Sequence, residues 1–232
     1  MSARKKSPAD KSDRTAAQVA VELGRKKEPT QSRAVETCER ILAGAAQVLG
    51  EVGIERLSTN LVCERAGLTP PALYRYYPNK YAILAELGLR LMMSQNELLE
   101  RWAVPATMKL PVARFEASVC ELFVATLELT RAATAGEWVT RALRAVPALA
   151  PVRTGSHEHV TGLIVAAFQG AYPGVDAARA RLTARLSVEV MYAAHELMFD
   201  DPSLDPSEVG RLMSAMVAAQ VQALRKEAAR KR

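Results

Sequence analysis

From Ser32 onward, apolar residues return every three or four positions. Val35, Cys38, Leu42, Ala45, Leu49 and Val52 fall on one stripe, which predicts a helix over 33–52. Gly53 stands where a C′ glycine would end it. A second, short helix is expected over 59–66, with Ser58 or Thr59 as N-cap and Gly67 as its break. Thr69 then caps a third. Its Pro70 and Pro71 fit only a first turn, where backbone N–H groups have no helical partner, and it ends near Tyr76 or Tyr77, ahead of Pro78. Asn79 opens a fourth helix over 80–102, closed by Pro105. The same period predicts helices over 111–133, 137–146, 156–171, 175–199 and 206–225, with Pro147 and Pro151 marking a loop. The last begins with Asp205 as N-cap, Pro206 at N1 and Glu208 at N3, a capping-box-like start. No segment alternates with period two long enough to make a strand. The expected fold is all-α, with about nine helices.

Composition narrows this little further. A chain of 232 residues allows one large domain or two small ones, and 5% aromatics disfavours an aromatic-rich β-sandwich. There is no apolar run long enough for a membrane span, and no apolar stretch and cleavage site follow the basic N-terminus, so neither membrane insertion nor secretion is expected. Cys38, Cys63 and Cys120 lie far apart without a CxxC pair, which argues against a disulfide scaffold or zinc finger and fits a reducing cytoplasm.

Charge is more telling. The net charge of +6 sits in the tails: +4 in residues 1–30 and +4 in 225–232, against +1 in 31–80 and −3 in 81–224. Residues 1–30 read as a basic, mostly disordered arm, in which only 16–23 has the pattern for a turn of helix. Such an arm can grip a polyanion through counterion release or act only as a solubilising tail.

Two short helices joined by a glycine-containing turn, over 58–67 and 69–77, make a helix-turn-helix arrangement. Leu57, Leu61, Val62, Leu68, Leu73 and Tyr77 are expected to pack against Ile41, Ala45 and Leu49. Pro70, Ala72, Tyr74, Arg75 and Tyr76 are expected to face outward, with Lys80 following; hydroxyls and cations of this kind suit a phosphate-lined groove, and Arg also reads guanine. The plain alternative is an ordinary end of a helical bundle.

Over residues 33–84 the chain resembles the TetR family of bacterial transcription regulators. The resemblance rests on Gly53, Leu57, Ser58-Thr59, Ala66-Gly67, Pro71, Leu73-Tyr74, Tyr76-Tyr77, Asn79-Lys80 and Leu84 at uninterrupted spacing. Tyr76 stands where the family often has His, and Tyr77 where it often has Phe. The resemblance implies a homodimer with a DNA-binding head over 31–80 and an all-α ligand-binding and dimerisation body over 81–232. It implies that Thr59, Tyr74, Tyr76 and Lys80 contact phosphates, and that Asn60, Thr69, Pro70, Ala72 and Arg75 face bases or the groove edge. It implies as partners a palindromic double-stranded DNA operator and a small-molecule effector that releases a repressor from it. An activator or ligand-independent regulator of the same fold is the alternative, and an enzyme or carrier built on an all-α body a second one, against which stands the lack of a convergent catalytic constellation.

In the body, Met92, Phe115, Phe123, Trp138, Phe168, Met191, Tyr192 and His195 are the candidate cavity walls, since apolar pockets use aromatic and Met side chains with a few polar groups; core packing is the plain reading of each. On the last helix Val209, Met213, Met216, Val217, Val221 and Leu224, interleaved with small residues, face a stripe of Leu182, Leu186, Val190 and Ala193-Ala194, a pattern suited either to a four-helix dimer interface or to the chain's own core. His157 and His159 have HxH spacing without a third ligand at metal spacing, and solvent exposure is expected for them. No GxSxG, HExxH, GxGxxG or Walker sequence occurs, so no catalytic residues, cofactor or metal are expected.

Overall fold

Gly53 does break the first helix. α1 (Ser32–Arg56) carries it at φ 73° and ψ 179°, a conformation open to glycine and strained for other residues. In this computed structural model, which describes residues 21–26 and 32–230, the local signals downstream hold as well. α2 (Thr59–Ala66) is capped by Ser58, whose Oγ accepts from the Leu61 N–H at 3.3 Å. It ends on Gly67 in the left-handed region, whose N–H returns to the Cys63 and Glu64 carbonyls. α3 (Pro70–Tyr74) has its prolines in the first turn; Thr69 occupies the N-cap position but its side chain makes no capping bond. α4 (Lys80–Trp102) starts at Asn79, whose Oδ1 accepts from the Ala82 N–H at 2.9 Å.

Beyond it come α5 (Pro105–Met108), α6 (Val112–Ala132), α7 (Gly136–Ala145), a 3₁₀ turn (Pro147–Leu149), α8 (Ala150–Ala171), α9 (Ala177–Asp200) and α10 (Pro206–Arg230). The described residues hold ten α-helices and no strand. The extra helix is α5, which begins at Pro105: the proline that closes one helix also opens the next. The same double role corrects the loop expected around Pro147 and Pro151. Pro151 lies in the first turn of α8, which starts at Ala150 rather than Ser156. Asp205 caps α10 through a bond from the Ser207 N–H at 3.0 Å, but Glu208 pairs with Arg211 instead of completing a capping box.

Two apolar clusters organise the molecule. The first joins α1, α2, α3 and the first half of α4 to α7, with Ile41, Leu49, Leu57, Leu73, Tyr77, Ile83 and Leu143 fully buried. The second joins the end of α4 to α5, α6, α8, α9 and α10 around Met108, Phe115, Phe123, Phe168 and Met198. α4 threads both and packs on α1, α6, α7 and α8. At Gly88 it approaches α7 so closely that a Cβ would stand 2.6 Å from Leu143.

One packing expectation is corrected, and another that was left open is decided residue by residue. Leu61 is exposed rather than in the head core. Met213, Val217, Val221 and Leu224 face the chain's own core, whereas Leu182, Leu186, Leu197, Leu212 and Met216 are about half exposed, at 61, 56, 49, 54 and 59%. Of the residues read as an interface or as core, Leu182, Leu186 and Met216 are thus left to solvent, joined by Leu197 and Leu212.

Part of the arm is ordered. Residues 21–26 lie on the head without helical structure. Lys26 N–H donates to the Tyr76 carbonyl at 2.9 Å, Asn79 Nδ2 donates to the Glu22 carbonyl at 3.0 Å, and Arg25 pairs with Glu86 beside the Tyr77 ring. The helix turn expected over 16–23 is absent from its described part, 21–23; residues 1–20 lie outside the described residues.

Candidate nucleic-acid interface

The exposed face of α2 and α3 is built from short helices whose apolar sides go inward. Val62, Cys63, Leu73 and Tyr77 are buried, and this leaves Asn60, Thr69, Pro70, Tyr74 and Arg75 exposed and Thr59 and Ala72 half-buried. Two hydroxyls from different helices meet there: Thr59 Oγ1 and Tyr74 Oη are 2.8 Å apart. The pair fixes the Tyr74 ring at the surface with lone pairs and one hydroxyl proton still outward. The Arg75 side chain has no hydrogen-bond or ion-pair partner among the described residues. Thr69, lacking a capping bond, keeps its hydroxyl available.

Two expected phosphate contacts are placed otherwise. Tyr76 is buried, 7% exposed, because one turn after Leu73 the chain must return to the core and its ring fills the first cluster. Lys80 turns inward: Nζ donates to the Leu57 carbonyl at 3.0 Å and the Ile54 carbonyl at 3.3 Å, closing the end of α1, with Tyr81 beside it. Arg40 does the same for α2, donating to the Ala66 carbonyl at 2.6 Å and the Gly67 carbonyl at 3.1 Å. Both cations neutralise helix C-termini, where carbonyls lack partners. Arg90, bidentate to Glu39 and bonded to Glu86, ties α4 to α1.

In the body, two narrow apolar cavities of about 30 Å³ each are neighbours. Trp102, Ile164, Ser187 and Val217 line both. Of the predicted walls, Met191, Tyr192 and His195 line the first, and Phe115 and Phe168 the second. Met92, Phe123 and Trp138 line neither: Met92 Sδ lies 3.5 Å from the Tyr192 hydroxyl oxygen, Phe123 stacks on His195 at 4.6 Å, and Trp138 covers Gly53. Trp102 and Ile164 were missed because nothing in their own segments sets them apart from other core positions.

His195 Nε2 donates to the Phe123 carbonyl at 3.1 Å, and burial pushes its imidazole down to about 4, so it is neutral. The Tyr192 hydroxyl donates to Gln95 Oε1 at 3.0 Å, and Gln95 donates on to Thr130 at 2.8 Å; burial raises the phenol to about 12. His157 is not solvent-exposed: it is buried against Tyr192 with Nδ1 3.0 Å from Glu189, and burial lowers its proton affinity. His159 is exposed and pairs with Glu100. Among the described residues no three His, Cys, Asp or Glu side chains gather to hold a metal, and no helix is long and apolar enough to cross a membrane.

Residues 41–87 match the sequence profile of the bacterial regulatory proteins, tetR family. The chain is 38% identical over 56 residues to the class A tetracycline repressor protein from transposon 1721 of Escherichia coli, covering 24% of this chain and 26% of that protein. It is 40% identical over 50 residues to the class C tetracycline repressor protein, covering 22% and 23%. The chain thus matches about a quarter of the length of these relatives. The whole fold is shared more widely. A TetR-family transcriptional regulator from Mesorhizobium loti superposes with TM-score 0.61 at 14% identity, over 83% of this chain and 98% of that one. RolR, solved with its ligand resorcinol, superposes with TM-score 0.52 at 18% identity, over 85% and 95%. Residues 41–87 are thus similar in sequence to the tetR family of bacterial regulatory proteins, and the chain as a whole shares the fold of these solved structures.

Proposed function

We propose that this protein is a sequence-specific DNA-binding regulator that acts as a repressor and is released from a palindromic operator by a small molecule. The observation that carries the reading is the exposed Thr59–Tyr74 hydroxyl pair beside the unpaired Arg75 and exposed Asn60, on a short helix held from behind by Leu73 and Tyr77. Tyr74, Thr59 and Thr69 seat α3 on phosphates; Arg75 and Asn60 read base edges; Pro70 and Ala72 sit at the groove edge. The exposed leucines of α9 and α10, with Met216, support a homodimer, because an apolar stripe of this size is normally covered. Two-fold symmetry then sets two α3 helices about one DNA turn apart, roughly 34–36 Å, which accounts for a palindromic site. Control comes through α4, which belongs to the head cluster at one end and the cavity wall at the other: a molecule that prefers the body with parted walls shifts the equilibrium by its difference in affinity for the two states. The protein carries out no chemical step.

Selection of bound duplexes from a randomised pool, followed by fluorescence anisotropy, tests this. The selected sequence should be a palindrome, and Arg75→Ala should lose roughly tenfold or more in affinity for it while keeping non-specific binding. A pool that yields no common sequence, or an Arg75→Ala protein with unchanged preference, refutes the reading.

A further inference from the structure

Resting on the effector reading above, we propose that Arg225 is the anchor for that effector, and that the effector is an apolar molecule ending in a carboxylate. By sequence Arg225 belongs to the basic C-terminal tail, but α10 continues past it and the fold takes it in. Its guanidinium lies over the Phe115 ring, 5.0 Å from the centroid. Nη1 donates to the Leu110 carbonyl at 2.8 Å. Nε and Nη2 are buried and have no hydrogen-bond partner among the described residues. Those two nitrogens form one edge of the guanidinium, the edge that takes a carboxylate with two parallel hydrogen bonds. Two buried guanidinium nitrogens left unbonded on a half-buried side chain are costly, and an oxyanion ligand removes the cost.

Its position names the rest of the ligand. Phe115, over which the guanidinium sits, lines the second cavity, as do Val221 and Leu224 from the turn of α10 that carries Arg225. Trp102, Ile164, Ser187 and Val217 are all that separates this cavity from the first, since they line both. Neither cavity is lined by an Asp, Glu, Lys or Arg side chain. A head group at Arg225 therefore leads an uncharged tail along the seam between α6, α8, α9 and α10. The cavities are too narrow for such a tail as they stand, so binding parts the helices, and the wall shared with α4 is Trp102.

The experiment uses the full-length protein with Trp138→Phe, which leaves Trp102 as the only tryptophan and its fluorescence as the reporter. Octanoate, 1-octanol and octylamine are titrated in turn. Octanoate should bind roughly tenfold or more tighter than 1-octanol, as expected for hydrogen bonds to a charged group. Octylamine should not bind measurably. Arg225→Met should bring octanoate down to the level of 1-octanol without weakening 1-octanol. The ratio is internal to each variant, so a general loss of stability does not mimic the effect. If Arg225→Met fails to fold, Arg225→Gln, which keeps a donor for Leu110, gives the same reading. The proposal is overturned if 1-octanol or octylamine equals octanoate on the unsubstituted site, if the octanoate preference survives loss of the guanidinium, or if octanoate does not bind. Anisotropy on the selected duplex separates this from the parent reading. Octanoate that binds without releasing DNA leaves the anchor standing and refutes the effector role; a neutral compound that releases DNA where octanoate does not bind does the reverse.

Discussion

Substituting Lys80 by Met separates a structural role from a DNA-contacting one. The ammonium closes α1 through the Leu57 carbonyl at 3.0 Å and, more weakly, the Ile54 carbonyl at 3.3 Å. Hydrogen bonds to a charged group contribute about 1.5–3 kcal/mol, and a cation at a helix C-terminus adds about 0.3–1 kcal/mol. Lys80 is half-buried and one of its bonds is long, so the low end applies, and the loss should be about 2 kcal/mol. At about 2–4 °C per kcal/mol for a chain of this size, Lys80→Met should melt about 4–8 °C lower. Urea unfolding should move its midpoint without changing the slope. The salt dependence of binding to the selected duplex should keep its slope, since no phosphate contact is removed. A melting point within a degree of wild type, together with a slope reduced by about one, would show the ammonium facing phosphate and refute the assignment.

Three further outcomes are expected. With His195 held neutral down to about 4, against about 6.5 unfolded, the unfolded chain takes up the proton first, so stability present above pH 6.5 is lost as pH falls toward 4; by pH 5 the loss is about 2 kcal/mol, and His195→Phe should flatten that part of the urea-unfolding profile. Gly53→Ala should destabilise by about 1–3 kcal/mol in the same assay because of its positive φ, whereas Gly155→Ala, mid-helix with open space around it, should stabilise by about 0.5–1 kcal/mol. Leu186→Glu with Met216→Glu should give a monomer in sedimentation with unchanged helix content, since both side chains are exposed; a dimer that persists places the interface elsewhere.

What the sequence made legible is what is decided locally. Ser58, Gly67, Asn79 and Asp205 act as caps because a cap bonds backbone within three residues, and Gly53 breaks α1 because its freedom is its own. Pro151 misled because proline both stops a helix and starts one. Side-chain direction was legible where the helical period decides it, as at Tyr74 and Leu73, and failed where a distant partner decides it. Lys80 reaches carbonyls 23 and 26 residues away, and His157 meets Glu189 32 residues away, so neither spacing nor residue type could reveal the pairing. Tyr76 was misplaced although the period was there to read: it stands three residues after the buried Leu73, its N–H bonded to the Leu73 carbonyl, and so falls on the same inward face. In the cavity, Met191, Tyr192 and His195 were visible from one helix face, while Trp102, Ile164 and Val217 join them only through packing of three other helices.

The first apolar cluster has a consequence for modularity. Ile41, Leu49 and Tyr77 share their buried environment with Ile83, Leu91, Val139 and Leu143, and the α1 break at Gly53 is roofed by Trp138. A fragment that stops at Lys80 strips that side of the head and exposes it to water, so the DNA-reading unit is not a transplantable bead on a string. Its smallest self-sufficient form includes α4 and α7. α4 carries residues of both apolar clusters, so the surface of α2 and α3 and the helices that wall the cavities are joined through one continuous element.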